Sequence, residues 1–147
     1  MIRWLLDTNV ISETRRAQPS REVAAWIGKI DNECLYASTV SIAELRYGAG
    51  LHPDQLIQVE IANWIEQSLR TWFGKRIFSV DENVLLNWRI LSRKNQLARN
   101  PTPPVDLLIA AVAYSHGTAI ATRDVAPFVA CGLPVLNPWT GERFNGA

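Results

Sequence analysis

The chain begins with a short apolar run, Trp4-Leu5-Leu6, that stops abruptly at Asp7. Apolar residues at successive positions suit a strand buried on both faces, as in the middle of a parallel sheet. Comparable short runs recur at 34–37, 77–80, 118–121 and 135–136. The stretches between them carry helical spacing. Residues 10–16 form a short helix closed by Pro19-Ser20, and Ser20 is placed as the N-cap of a second helix to about residue 30, with Val23, Trp26, Ile27 and Ile30 on one stripe. A third covers about 39–49, carrying Val40, Ala43 and Tyr47, and Gly48 and Gly50 are expected to stop it. Pro53 or Asp54 opens a long helix through Trp72, and Asp81 caps another to about residue 98. An apolar helix over 105–116 ends at Gly117, and a short one runs towards Ala130.

Strands alternating with helices imply a parallel sheet of about five strands with helices on both sides. No repeat, low-complexity segment or linker divides residues 1–147, which read as one domain with a polar tail from about residue 140 that is expected to fray. The long helix stands out. Ile57, Ile61 and Ile65 follow one another at i, i+4, and Leu56, Val59, Trp64 and Leu69 add more apolar surface than one stripe needs. Either part of it faces a partner chain or all of it enters the domain's own core.

Composition narrows the classes. With 48% hydrophobic residues the chain can build a core, and a formal charge of +1 with pI of about 7.8 gives no general pull towards nucleic acid or membrane. An anionic partner must be met by a local patch. Cys34 and Cys131 fit no metal or disulfide pattern, and two histidines, His52 and His116, exclude a histidine/cysteine zinc site. No secretory leader is visible, and the longest apolar run, 107–114, falls far short of the ~20 residues of a membrane span. The expected setting is the cytoplasm.

Candidate chemistry lies in the acids. Asp7, Glu44 and Asp124 each follow a predicted strand within a few residues, and the carboxyl ends of parallel strands share one edge, so these three should converge there. Each also has a purely structural role open to it. Asp124 stands where a helix cap belongs, Asp106 in a helix's first turn after Pro104, and Ser41 to Glu44 has capping-box spacing. Asp106 follows no strand, and pattern alone does not bring it to the others. Clustered carboxylates repel unless protonated or bridged by a cation, and oxygen ligands without histidine or cysteine suit Mg²⁺ or Mn²⁺. Such a metal grips phosphate oxygens and activates water, which makes phosphodiester hydrolysis the natural chemistry. Thr8, Asn9, Ser41 and Thr122 stand beside the acids as supporting hydrogen-bonding groups.

The segments Leu6-Asp7-Thr8-Asn9, Ser41-Ile42-Ala43-Glu44, Pro104-Val105-Asp106-Leu107 and Ala121-Thr122-Arg123-Asp124, with the closing Leu136-Asn137-Pro138-Trp139, together resemble the PIN-domain ribonucleases of the VapC/FitB type, toxins of bacterial toxin–antitoxin pairs. The resemblance spans nearly the whole chain and keeps the family's order. It implies a three-layer α/β/α fold, RNA as substrate, a cognate antitoxin and homodimers that assemble further with it. It also implies that Asp106 joins the other three acids. By position, Asp7 and Asp106 bind Mg²⁺ or Mn²⁺ most directly, Asp124 completes the shell or holds a second ion, and Glu44 acts through water or binds part of the metal. Thr122 orients a ligand or the attacking water.

Arg46 and Arg123 lie beside motif residues and are candidates for RNA phosphate contacts, with solvated surface charge as the alternative. The tryptophans suggest base stacking, but Trp4, Trp26, Trp64 and Trp88 fall on predicted apolar faces, where burial is the better reading. Dehalogenase-type phosphatases need a second acid two residues after Asp7, where Asn9 stands. The non-enzymatic rival is a module that binds RNA or a partner without cutting.

Overall fold

Strand β1 (Trp4–Leu6) lies at the centre of the sheet. In the computed structural model, which describes all 147 residues, Trp4 pairs with Leu35 of β2 (Leu35–Ser38) on one side and with Ala119 of β4 (Ala119–Ala121) on the other, both in parallel. β3 (Ile77–Phe78) and β5 (Val135–Leu136) extend the sheet in parallel to the order β3-β2-β1-β4-β5. All three residues of β1 are buried, as their unbroken apolar run required.

Pleating sends alternate residues of β1 to opposite faces. Trp4 and Leu6 join a cluster with Val10 and Ile11 of α1 (Thr8–Arg15) and Val23 of α2 (Arg21–Lys29). Leu5 and Ile120 join the opposite cluster, with Val84 of α6 (Glu82–Asn95), much of α7 (Pro104–His116) and Phe128 of α8 (Val125–Ala130). The layers are therefore helix, sheet, helix. The predicted stripe on α2 is met: Trp26 packs edge-on against Trp4 at 5.3 Å, and Ser20 Oγ accepts from the Val23 amide. Gly117, at φ +62°, closes α7 in the left-handed conformation that glycine adopts at low cost.

Three expectations need correction. Gly48 does not stop α3 (Thr39–Gly50), which runs through it and ends at Gly50 with a cap at Leu51; neither glycine has positive φ. Its buried side is Val40, Ser41, Ile42 and Ala49, while Tyr47 is 70% exposed. The polar stretch after residue 140 does not fray. Arg143–Phe144 forms a sixth strand, β6, antiparallel to β5, with Phe144 packed on the core and Asn145 bonded to the Leu133 carbonyl at 2.9 Å. A two-residue strand bounded by glycines carries too short an alternation to be read from sequence.

The long helix is capped by Asp54, whose carboxylate accepts from the Leu56 amide, and runs as α4 (Gln55–Trp64), a π turn (Ile65–Leu69) and α5 (Arg70–Phe73). Its two readings divide along its length. Ile65, Leu69 and Phe73, one every four residues, enter the core, while no residue of α4 is buried and Leu56 and Val59 stand 75% and 58% exposed. No helix is long and apolar enough to cross a membrane.

Candidate functional site

Because β1, β2 and β4 run in parallel, the segments leaving their carboxyl ends share one edge. Asp7 sits there directly after β1, its amide bonded to the Ala121 carbonyl at 3.0 Å. The residue is only 5% exposed. One carboxylate oxygen accepts from the Thr8 amide at 2.7 Å, and the other accepts from the Thr122 hydroxyl at 2.7 Å. Thr122 Oγ1 in turn accepts from the Asp124 amide at 3.0 Å and from Asn9 Nδ2 at 3.3 Å, while Asn9 Oδ1 accepts from the Arg123 amide. Thr8 donates to Ser41 Oγ at 2.9 Å, tying the start of α1 to the first turn of α3. The four supporting residues anticipated from sequence thus form one network across the ends of three strands.

The acids report on one another through their proton affinities. Burial raises the pKa of Asp7; the bonds from Thr122 and Thr8 oppose the rise, and the charges of Asp124 and Glu44 add to it. Asp106, in the first turn of α7, is pushed up to about 6, first by burial and then by Asp7, Asp124 and Glu44. The fourth acid, which strand pattern alone left unplaced, belongs to the same cluster. Two of the purely structural roles also fall away. Ser38, not Ser41, caps α3, so no capping box involves Glu44, and Asp124 stands at the N-cap of α8 without accepting a cap bond. Asp7 does cap α1 through Thr8, so its structural and chemical roles coincide.

No three acidic, histidine or cysteine side chains are closed round a common point. The carboxylates nonetheless lie near enough to raise each other's pKa, the relaxed arrangement expected of like charges. Among these donors a soft or histidine-seeking metal finds no ligand. His116 is stacked on Phe78 at 3.7 Å, and His52 bonds the Asp54 amide ahead of α4. The all-oxygen set fits a hard divalent cation.

The upward shifts give a sign for the effect of pH on stability in metal-free protein. A carboxyl group with raised pKa in the folded state contributes stability that is complete below its unfolded value, 3.8, and lost as pH climbs through its folded value, near 6 for Asp106. In EDTA the melting temperature is expected to fall as pH rises from about 5 to about 7, and Asp106→Asn should flatten that fall. A thermal-melt series superimposable for the two proteins contradicts the coupling.

One residue was not singled out in the sequence: Glu13 on α1. Its side chain is 5% exposed and accepts from the Ser20 amide at 3.0 Å and from Arg16 at 3.3 Å, with Arg123 Nη2 at 4.0 Å. These contacts, the Ser20 bond foremost, hold its pKa below the usual carboxylate range. In a polar stretch followed by Arg15 and Arg16 nothing marks it as buried, because neither the turn that brings back the Ser20 amide nor the approach of Arg123 leaves a periodic trace. Arg123 also lies over the ring of Trp139, its guanidinium carbon 4.1 Å from the ring centre. Arg46 is exposed and opens on a cleft between α3 and α4 with Gln58 and Glu66, two residues from Glu44.

The fold is a mostly parallel sheet between two helical layers, with its candidate acids towards the carboxyl edge. Residues 4–129 match the PIN domain family, and the chain belongs to it. It is 41% identical over 135 residues to plasmid stability protein StbB of Pseudomonas syringae pv. tomato, covering 92% of this chain and 97% of that protein. It is 36% identical to VapC ribonuclease Y4jK of Sinorhizobium fredii, covering 92% and 96%. The crystal structure of FitAcB from Neisseria gonorrhoeae superposes with a TM-score of 0.85 at 36% identity, over 92% of this chain and 98% of that one. Within the PIN family the chain is of the VapC/FitB type, as its motifs suggested.

Proposed function

We propose that this protein is a metal-dependent endoribonuclease and the toxin of a toxin–antitoxin pair. The observation that carries the chemistry is the gathering of Asp7, Glu44, Asp106 and Asp124 at one sheet edge, with Asp7 clamped by Thr8 and Thr122. A similar protein bearing the name VapC ribonuclease supports RNA as the substrate. Asp7, Asp106 and Asp124 would hold Mg²⁺ or Mn²⁺. When bound, the ion offsets charge on the phosphoryl oxygens and lowers the pKa of a water molecule.

The chain's own residues orient and hold. Thr122 fixes the Asp7 carboxylate and, through its bond from the Asp124 amide, sets where that second acid leaves β4. Asn9 bridges Asp7, Thr122 and the Arg123 amide, so the two strand ends move as one unit. Glu44, exposed on α3, acts on the rim through water. Neither histidine touches this network, which leaves no imidazole base in it.

The outward apolar residues of α3 and α4, among them Tyr47, Leu51, Leu56 and Val59, offer surface for a cognate antitoxin or a second copy of the chain. Structures similar to this one are of assemblies such as FitAB bound to a DNA fragment, which supports a partnered state.

The rival reading, a module that binds RNA or a partner without cutting it, is disfavoured by the acids themselves, since clustered negative charge repels phosphate unless a cation intervenes. Incubating purified protein with an RNA pool separates the two. New RNA ends are expected with Mg²⁺ and none with EDTA; binding without products in either condition selects the module.

A further inference from the structure

The triad of Glu13, Arg123 and Trp139 has no part in the chemistry above, yet it adjoins it. Arg123 stands between Thr122, which bonds Asp7, and Asp124. Its guanidinium is held from two directions. Trp139 lies beneath it at 4.1 Å, and the buried carboxylate of Glu13 lies 4.0 Å from Nη2. Both holders are themselves anchored: Glu13 accepts from the Ser20 amide and from Arg16, while Trp139 packs on the core and donates its amide to Asn137 Oδ1 at 2.9 Å. The Arg123 side chain nevertheless remains 56% exposed.

A flexible arginine meant only to attract phosphate needs none of this. Side-chain freedom costs little at a surface, and a solvated guanidinium meets a phosphate from many directions. With the Trp139 indole against one side of the guanidinium, the other side is a flat surface open to solvent, on the residue directly before Asp124. Planar guanidinium groups and aromatic rings are the surfaces on which splayed bases of single-stranded RNA stack. Glu13 offsets part of the arginine's charge, which lessens its value as a phosphate magnet and leaves the planar surface intact.

We propose that the exposed side of Arg123, backed by Trp139 and steadied by Glu13, is a stacking subsite for one unpaired nucleobase of RNA next to the scissile phosphate. This rests on the ribonuclease reading and adds to it one contact, for a base turned out of its stack. Stacking is tolerant of base identity, because every base has a π face. The subsite therefore selects for an unpaired nucleotide and not for a particular letter.

The test is a binding comparison in an Asp106→Asn background, which removes cleavage and leaves the Arg123 contacts in place. Fluorescence anisotropy with Mg²⁺ present is read for a single-stranded oligoadenylate and for an abasic ribose-phosphate oligomer of the same length and charge. Arg123→Lys keeps the charge and loses the plane. It is expected to weaken oligoadenylate binding roughly tenfold, with the salt dependence unchanged and abasic binding unaltered. Trp139→Leu should reproduce the loss, with circular dichroism and melting confirming that it folds. Equal affinity of Arg123→Lys and its parent for oligoadenylate, or an equal loss on the abasic oligomer, overturns the subsite. If the wild-type chain cuts RNA alongside that result, only the subsite falls; if it neither binds nor cuts RNA, the ribonuclease reading falls and takes the subsite with it.

Discussion

Asp7→Asn is expected to lower RNA cleavage by on the order of a thousandfold or more while leaving the fold as stable as before, or more stable. Each tenfold loss of rate corresponds to about 1.4 kcal/mol of transition-state stabilisation, so a thousandfold asks about 4 kcal/mol of this one charge. That is a reasonable demand on a buried carboxylate proposed to hold the metal. Stability is expected to move the other way. Asp7 is 5% exposed with a pKa raised by burial and by the charges of Asp124 and Glu44, so its ionised form costs the metal-free fold free energy. Asparagine keeps the shape and an oxygen to accept from the Thr8 amide, at the distance of 2.7 Å that Asp7 uses, and carries no charge. Cleavage assays and thermal melts on one preparation check both halves. A variant that lost activity by unfolding would fail the second.

Phe128→Ala is expected to cost about 3–5 kcal/mol, a large part of the ~5–15 kcal/mol that holds a domain of this size together. Phe128 has no exposed surface. It lies on α8, directly after the segment carrying Asp124, and belongs to the cluster that packs α7 under the sheet. α7 presents Asp106 from its first turn. Truncation therefore loosens the packing shared by α7 and α8, the two helices whose starts carry Asp106 and Asp124. Denaturant unfolding reads the stability loss, and among the molecules still folded, cleavage should fall while Thr122 continues to hold Asp7. A variant within 1 kcal/mol of the parent, by the scale of conservative core changes, would mean that α8 packs less tightly than its burial implies.

Asp7, Glu44 and Asp124 are legible as candidates in the chain because each follows an apolar run, and the parallel sheet sends all such positions to one edge. Asp106 was different. It opens a helix and not a strand exit, so its place depends on how α7 packs across the sheet, and only the family resemblance supplied it. Glu13 escaped both routes: its burial arises from Ser20 and Arg123, contacts with no periodic trace. The fold was read well where runs were long. Short-range rules mislead where they compete with packing, as at Gly48, which α3 passes through before ending at Gly50, and at Arg143–Phe144, which pair with β5 in place of a fraying tail.

The outward face of α4 is a case in which the sequence posed a question that the fold answered by halves. Apolar residues at every angle of a helix admit either a core or a partner, and the chain uses both, with Ile65, Leu69 and Phe73 turned inward and Leu56 and Val59 left outside. The surplus is therefore concentrated near the start of the helix, beside the exposed Tyr47 and Leu51 of the preceding segment.

Under the proposed function, four carboxylates gathered at the sheet edge form a metal-dependent centre that cuts RNA. The most direct measurement is a Mg²⁺ titration of cleavage of a single-stranded RNA by the wild-type protein, begun in EDTA, with Asp7→Asn run beside it. No cleavage is expected in EDTA, with a rate that rises with Mg²⁺ to saturation and a flat line for Asp7→Asn. Cleavage that persists in EDTA, or a rise in Asp7→Asn matching the wild type, would contradict it.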